Sequence, residues 1–269
     1  MQNNYRVTAL DRAHRLYRRL IVSPWPMGIS ELARDLGLSK STVHGLVHTL
    51  TDLGLLDTAP EDGTKFRISE TVLSLWREAL LKGPMARAAK PLLVEFSERH
   101  GLTALAGVFL QARVLVVEAV TAPGFGIAAY AGQVLPAWAA ALGKVLLAAH
   151  PGRRVGRLAR DMASHGPLDA QAYLDEVEQT RLTGVALDRE EYLPGVRALA
   201  CPLPITGPLQ PFGAVWAVGL APSLDDRRLT ALAPELLDLA GRLRRRIAET
   251  EAIHVEGPPG WKRAGQAAR

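Results

Sequence analysis

The sequence is poor in cysteine, in aromatic residues and in long apolar runs. Its only cysteine, Cys201, excludes an intrachain disulfide and favours a reducing, cytoplasmic setting. The first six residues contain no apolar run, so no signal peptide is predicted. The most apolar stretch, residues 137–150, is interrupted by Lys144 and is too short to span a bilayer. We therefore expect a globular protein with no membrane segment.

The signatures of common catalytic sites are missing as well. No G-x-S-x-G motif is present, and Gly143-Lys144 lacks the other residues of a P-loop. Residues 124–129 spell G-x-G-x-x-A, but no helix is predicted to begin there, which argues against a dinucleotide site. Asp188, Glu190 and Glu191 could form an acid–base cluster, although a solvated loop is the favoured interpretation. No metal or cofactor is expected, and an enzyme, a hydrolase or lyase, is the alternative hypothesis.

The length of the chain allows two domains, and its net charge does not identify a binding partner. The chain has 269 residues, of which 48% are hydrophobic and 22% charged, enough to bury a substantial core. The net charge of +5 permits nucleic-acid binding, but residues 1–70 carry nine basic against eight acidic side chains. Only residues 1–22 are clearly basic, with five arginines against Asp11, so this segment is able to follow a phosphate backbone.

Two short amphipathic helices are predicted between residues 29 and 54. Gly37 lies in the turn between them, Ser39 is a suitable N-cap for the second helix, and Gly54 is a suitable stop. This arrangement is typical of a helix-turn-helix, whose second helix enters a major groove. His44 and His48 share one helical face but lack the glutamate or thiols of a zinc site, so DNA contact is favoured.

The segments on either side extend this motif to a winged helix. Thr8 begins a basic helix with the inner stripe Leu10, Ala13, Leu16, Tyr17 and Leu20, and two short strands flank Asp62-Gly63. The tip of this hairpin is acidic, but its return strand is basic. We predict the following DNA-contacting residues: Ser39, Lys40, Ser41, Thr42, His44, Gly45 and His48 of the second helix, with Lys65 and Arg67 of the wing.

The remainder of the chain predicts an α+β domain, with strands covered by helices on one side. Ser69 begins a helix ending near 83–84, Pro91 opens another, Asp169 caps a third and Ser223 opens the last. Strands are predicted at 103–110, 114–120, 124–129, 196–202 and 212–220, with a turn at 132–136, a helix at 137–149 and an extended piece at 185–187. The proposed domains are residues 1–69, a linker helix at 70–84, a body at 85–253 and a disordered tail at 254–269.

Several segments together resemble the IclR family of bacterial transcription regulators. They are Ser41-Thr-Val-His44 with Leu46-Val47, Ala141-Leu-Gly-Lys-Val-Leu-Leu-Ala148, and Thr183-Gly-Val-Ala-Leu-Asp-Arg-Glu-Glu191 followed by Gly195–Pro202. Their order and spacing are more specific than any one of them, and the match covers roughly residues 7–250. The resemblance implies a winged-helix domain, a GAF-like domain that binds a small metabolite, assembly into dimers or tetramers on DNA, and no catalysis.

The resemblance also implies a metabolite pocket in the body of the protein. Two departures from the family pattern matter: Gly45 stands where an arginine is usual, and Trp216 and Val218 stand where some relatives place hydroxyl groups. We therefore expect a weaker hold on DNA and a weakly polar or aromatic ligand, with Trp216 either lining or filling the pocket. The residues carried over to the pocket are Ile127, Leu135, Ala141, Leu142, Asp188, Val196, Ala198, Trp216 and Val218.

The leading hypothesis is a metabolite-responsive transcription regulator. A dimer would place two recognition helices about 34 Å apart, or a multiple of this distance, on a pseudo-palindromic operator in double-stranded DNA. The helix at 71–81 is the predicted transmitter of the ligand signal. A protein-interaction adaptor built on the winged helix is the third possibility.

Overall fold

The computed structural model describes residues 7–21, 23, 25–60, 62–111, 113–122, 129–149, 155–156, 159–160, 169–204 and 212–255. The helices are α1 (Thr8–Ile21), α2 (Ile29–Leu36), α3 (Lys40–Asp52), α4 (Glu70–Leu81), α5 (Pro84–His100), α6 (Ala140–Ala149), α7 (Ala170–Thr183) and α8 (Asp226–Val255). The strands are β1 (Met27–Gly28), β2 (Leu56–Ala59), β3 (Asp62–Ile68), β4 (Thr103–Leu110), β5 (Arg113–Val120), β6 (Val134–Pro136), β7 (Ala186–Arg189), β8 (Val196–Pro204) and β9 (Phe212–Leu220). No described helix is long and apolar enough to cross a membrane.

Helices α1 to α3 and a three-stranded antiparallel sheet, ordered β1-β3-β2, form the N-terminal unit. Ser39 caps α3 as predicted, because its Oγ accepts a hydrogen bond from the Thr42 amide at 3.1 Å. Gly37 adopts the left-handed conformation, with φ of 65°, that the tight turn requires. The predicted inner stripe of α1 is wrong at Leu10, which is exposed near the start of the helix.

The C-terminal unit is built on a six-stranded antiparallel sheet with the order β6-β5-β4-β9-β8-β7. The prediction of helices on one side is wrong, because both faces of this sheet are covered. Alternate residues of β4, such as Ala104 and Leu105, belong to two separate cores. One core contains α5 and α8, and the other contains α6 and α7. The unbroken apolar sequence of β4 is what a strand buried on both faces requires.

Three element boundaries differ from the sequence predictions. Helix α5 begins at Pro84, where the missing N–H has no cost, and Pro91 lies inside the helix rather than at its start. A short strand, β6, replaces part of the turn predicted at 132–136, and it pairs with β5. Helix α6 begins three residues later than predicted. The predicted strand at 124–129 and the predicted tail fall largely outside the described residues.

Candidate DNA-binding face and ligand cavity

The outer face of α3 carries a group of small polar and basic side chains. Ser39, Lys40, Ser41, His44 and His48 are all exposed, as is Gly45. Thr42 is half-buried, and its hydroxyl lies 2.8 Å from Ser39 Oγ. The two imidazole rings lie side by side with their centroids 4.3 Å apart. This face offers hydrogen-bond donors and acceptors for phosphates or base edges.

The wing strand β3 contributes less free charge than its sequence suggests. Lys65 is half-buried. The side chain of Arg67 is only 18% exposed, and its Nη2 lies 3.6 Å from Glu70 Oε1. Sequence reasoning assigned Arg67 to DNA contact from its place on a basic strand, whereas its guanidinium is engaged at the junction between the wing and α4. The partner lies only three residues further on, in the first turn of α4.

Two arginines of the basic helix α1 are also engaged within the protein. Arg15 Nη2 donates to the Leu36 carbonyl at 2.8 Å, and Arg19 Nη2 lies 2.8 Å from Asp35 Oδ2. These contacts join α1 to the end of α2 and thereby fix the orientation of the helix-turn-helix. The basic composition of α1 therefore has a role within the N-terminal unit as well as any role toward DNA.

A cavity of about 160 Å³ lies in the C-terminal unit, against the face of the sheet covered by α6 and α7. The structure brings together at its walls eight of the nine residues carried over from the resemblance; Ile127 lies outside the described residues. These eight are Leu135, Ala141, Leu142, Asp188, Val196, Ala198, Trp216 and Val218. Seven further lining residues were not predicted: Thr103, Leu105, Ala129, Gln133, Ala139, Tyr192 and Leu193. Side chains alternate between the two faces of β4, so Thr103 and Leu105 could have been identified once the face of the sheet that carries Trp216 was known.

Trp216 forms part of the cavity wall rather than filling the cavity. The side chain is 4% exposed, and its ring lies against the backbone of Gly107 on the neighbouring strand. A methyl group on Gly107 would lie 2.9 Å from Trp216 Cη2, so only glycine leaves room for the indole there. The side chain also carries one hydrogen-bond donor, its indole N–H.

Asp188 is the ionisable carboxyl group in the described cavity wall. Its Oδ1 accepts a hydrogen bond from the Glu191 amide at 2.8 Å. Burial raises the pKa of Asp188 to about 6, an effect that the charge of Glu191 adds to and that Lys144 and two backbone N–H groups oppose. Among the described residues no ammonium or guanidinium group lines the cavity. The carboxyl is thus placed to accept a hydrogen bond from a ligand.

The acidic loop after β7 is anchored from below by a buried lysine. Lys144 of α6 is fully buried, and its Nζ donates to the Leu187 carbonyl and to Glu191 Oε1, both at 2.7 Å. The Glu191 side chain is 8% exposed. The prediction of a solvated loop is therefore wrong for Glu191, because a buried ammonium group requires a partner of opposite charge. Glu190 instead pairs with Arg197 at 3.2 Å.

The two ion pairs fix the loop that carries three cavity-lining residues, Asp188, Tyr192 and Leu193. Nothing about this arrangement indicates a nucleophile. Cys201 belongs to the opposite core, and burial raises the pKa of its thiol to about 12, which keeps it unreactive.

A winged helix and a sheet domain with a cavity are the parts expected of a DNA-binding regulator that responds to small molecules, but a fold alone does not establish a function. Comparison with known families agrees with this class. The IclR helix-turn-helix domain matches residues 9–60, and the C-terminal domain of the bacterial transcriptional regulator IclR matches residues 78–243. The chain belongs to the IclR family. It is a transcription regulator, and the enzyme alternative is not supported.

Named relatives regulate metabolic operons. The chain is 29% identical to the glycerol operon regulatory protein of Streptomyces griseus over 201 residues, which is 73% of this chain and 79% of the relative. It is 26% identical to the transcriptional repressor IclR of Escherichia coli over 242 residues, with 87% and 88% covered. The solved structure of Thermotoga maritima IclR is similar in fold, with a TM-score of 0.55, 17% identity, and 90% and 99% covered.

A further solved structure shows an IclR homologue with a bound ligand. This protein, from Microbacterium hydrocarbonoxydans, is complexed with 4-hydroxybenzoate. Its TM-score is 0.50 at 20% identity, with 90% of this chain and 99% of that chain covered. At this identity the likeness supports the fold alone.

Proposed function

We propose that the cavity binds a small, weakly polar aromatic effector, which controls binding of the recognition helices to a pseudo-palindromic operator. The observation that carries this proposal is the convergence on one cavity of eight residues that the resemblance to the family had placed in a pocket. A volume of about 160 Å³ suits a single-ring molecule, since drug-sized ligands occupy roughly 300–1,000 Å³. The indole of Trp216 supplies an apolar wall for such a ring.

The charge of the wall favours a neutral ligand over a carboxylate. Asp188 is largely ionised at pH 7 and would repel an anion, and no cationic side chain among the described lining residues would offset it. A ring that carries neutral hydroxyl groups meets this requirement, because a hydroxyl group can donate a hydrogen bond to the Asp188 carboxylate.

Thermal unfolding with matched probes tests the ligand class. We expect 4-hydroxybenzyl alcohol to raise Tm more than 4-hydroxybenzoate, and glycerol to have no effect; saturation at 100 times Kd adds about 2.7 kcal/mol to the free energy of unfolding. The variant Ala198→Phe, which places a ring in the cavity, should abolish the response. A stronger response to 4-hydroxybenzoate would contradict the neutral-ligand assignment, and no response to any probe would contradict the aromatic one.

Gel-shift titration at fixed salt tests the DNA-binding face. The probe is the DNA upstream of the protein's own coding sequence. We expect His44→Ala and Lys40→Ala to weaken binding without changing the oligomer, because each removes a donor from the exposed face of α3. Lys82→Ala is the matched control, since it removes an exposed ammonium group on the linker that lies 3.7 Å from Glu78. Unchanged binding in both α3 variants would refute the assignment.

We further propose that the chain forms a homodimer, or a pair of dimers, in the bacterial cytoplasm where its DNA lies. Val7 and Leu10 of the α1 region and Leu75 of α4 are large apolar side chains that remain exposed, and a second copy is the partner that would cover them. Sedimentation equilibrium should show a dimer or tetramer that Leu75→Glu weakens. A monomer at micromolar concentration would contradict this proposal.

A further inference from the structure

We propose that Arg77 and the ion pair between Glu70 and Arg113 couple the cavity to the DNA-binding unit. These residues lie on α4 and β5, outside both the cavity and the face of α3. The inference rests on the proposed function, because it names the contacts through which occupancy of that same cavity reaches the winged helix. It concerns regulation rather than ligand binding itself.

Helix α4 packs against both units. Val72, Leu73 and Trp76 pack against the core of the winged helix, and Ser69 Oγ caps α4 while donating to the Gly54 carbonyl at 2.7 Å. Near the end of α4, Leu80 packs against the core of the other unit that contains α5 and α8. None of the twelve residues of α4 is fully buried. A displacement of the first half of α4 therefore carries the winged helix with it.

The first contact joins α4 to a turn beside the cavity. Arg77 Nη2 donates to the Gly132 carbonyl at 2.6 Å. Gly132 has φ of 91°, and its amide donates to the Val116 carbonyl at 2.8 Å, so this turn is held on β5. The neighbouring Gln133 lines the cavity, as does Ala129 just before the turn. Arg77 thus binds a segment of the chain that also lines the cavity.

The second contact lies at the other end of the same segment. Arg113 Nη1 is 3.1 Å from Glu70 Oε1, and Arg113 is paired in the sheet with Pro136. The residue before Pro136 is Leu135, which lines the cavity. Arg67 of the wing strand approaches the same carboxylate at 3.6 Å. Glu70 therefore links the wing, α4 and the edge of the cavity.

The space between the two contacts is open. A cavity of about 130 Å³ separates α4 from β5 and β6, with Glu70, Arg77, Arg113 and Val134 among its lining residues. Two polar contacts, one from Glu70 and one from Arg77, cross this gap and join α4 to β5 and to the turn at Gly132. An occupant that moves residues 129–136 changes the positions of the Gly132 carbonyl and of Arg113, and α4 follows. Ligand and DNA are coupled only if the ligand binds the two positions with different affinity.

A double-mutant cycle tests the coupling without a known effector. Ala198→Phe serves as a permanent occupant of the cavity, and operator affinity is measured for wild type, Ala198→Phe, Arg77→Met and the double variant. We expect Ala198→Phe to change the operator Kd at least tenfold in the wild-type background and less than twofold in the Arg77→Met background. The control Arg87→Met removes a guanidinium that donates to the Lys82 carbonyl at 2.7 Å, and should leave the tenfold change intact.

Hydrogen exchange provides a second readout that needs neither DNA nor ligand. Arg77→Met should accelerate amide exchange in residues 130–136 and in α4, whereas Arg87→Met should not. Equal effects of Ala198→Phe in both backgrounds, or unchanged exchange in Arg77→Met, would overturn the inference while leaving the proposed function standing. If the wild type does not bind the operator, the proposed function is refuted. The exchange measurement then still decides the role of Arg77.

Discussion

A glycine interrupts the outward face of α3 at position 45. The residue lies in the middle of the helix, is exposed, and has no positive φ. A Cβ atom added there would meet no atom within 4 Å. Gly45→Ala should therefore raise the free energy of unfolding by about 0.5–1 kcal/mol, the usual difference between the two residues inside a helix. For a cooperative unit of 60–100 residues this corresponds to a rise in Tm of roughly 2–8 °C.

Gly45→Arg separates helix stability from DNA contact. Arginine has a helix propensity close to that of alanine, so the two variants should have similar Tm values. The guanidinium adds one cation to the exposed face beside His44 and His48. Gel-shift titrations at several salt concentrations should then show tighter binding by Gly45→Arg, and the slope of log K against log salt should steepen by about 0.9 for one added phosphate contact.

Two results would refute this reasoning in different ways. A lower Tm for Gly45→Ala would show that the helix at this position requires the conformational freedom of glycine. A higher Tm with operator binding weakened more than tenfold in both variants would show that the backbone at Gly45 lies directly against DNA, where any Cβ is excluded. The sequence left both interpretations of this glycine open, and the free space around it in the structure favours the first prediction.

Three further predictions concern the C-terminal unit and use urea unfolding as the measurement. Gly107→Ala should lower the free energy of unfolding by about 1–3 kcal/mol, because the new methyl group would meet a strand carbonyl at 2.5 Å and Trp216 at 2.9 Å. A loss below about 0.5 kcal/mol, which is the usual effect of a surface substitution, would contradict this prediction. Lys144→Met should lower the free energy of unfolding by about 3–5 kcal/mol, because it leaves Glu191 buried without its partner. Adding Glu191→Gln should recover most of this loss. A double variant as unstable as Lys144→Met would contradict the prediction. The pKa of Asp188 is raised in the folded state, so ionisation of this carboxyl group destabilises the fold as the pH rises. The free energy of unfolding of the wild type, measured relative to that of Asp188→Asn, should therefore fall by up to about 3 kcal/mol between pH 4 and pH 7. A parallel pH dependence of the two proteins would contradict this prediction.

Features that depend on neighbours in sequence were predictable. Ser39, Ser69 and Asp169 each cap the helix that follows, because a short side-chain oxygen needs only the amides two or three residues ahead. The buried stripe of α8, including Leu229 and Leu243, follows from helical periodicity. The short strand β1 was missed, since two residues give no alternation to recognise.

Features that depend on distant partners were not predictable from one sequence. Lys144 stands in an apolar helix, and its partner Glu191 lies 47 residues further on, next to a glutamate that pairs elsewhere. Only the fold shows which of the two adjacent carboxylates turns inward. The partner of Arg67, Glu70, is only three residues further on, but the sharing of its carboxylate with Arg113 depends on the fold.

For the pocket, the positions of the lining residues and the chemistry of their side chains have to be considered separately. The positions taken from the resemblance line one cavity because the backbone holds them there: Trp216 and Val218 on β9 face the same side of the sheet as Leu105 on β4. It did not supply the chemistry, because a tryptophan at position 216 requires open space on the neighbouring strand, and Gly107 provides it. The wall that results contains an indole ring instead of a row of hydroxyl groups. A ligand known for one relative therefore does not carry over to another from matching positions alone, since the side chains at those positions select the occupant.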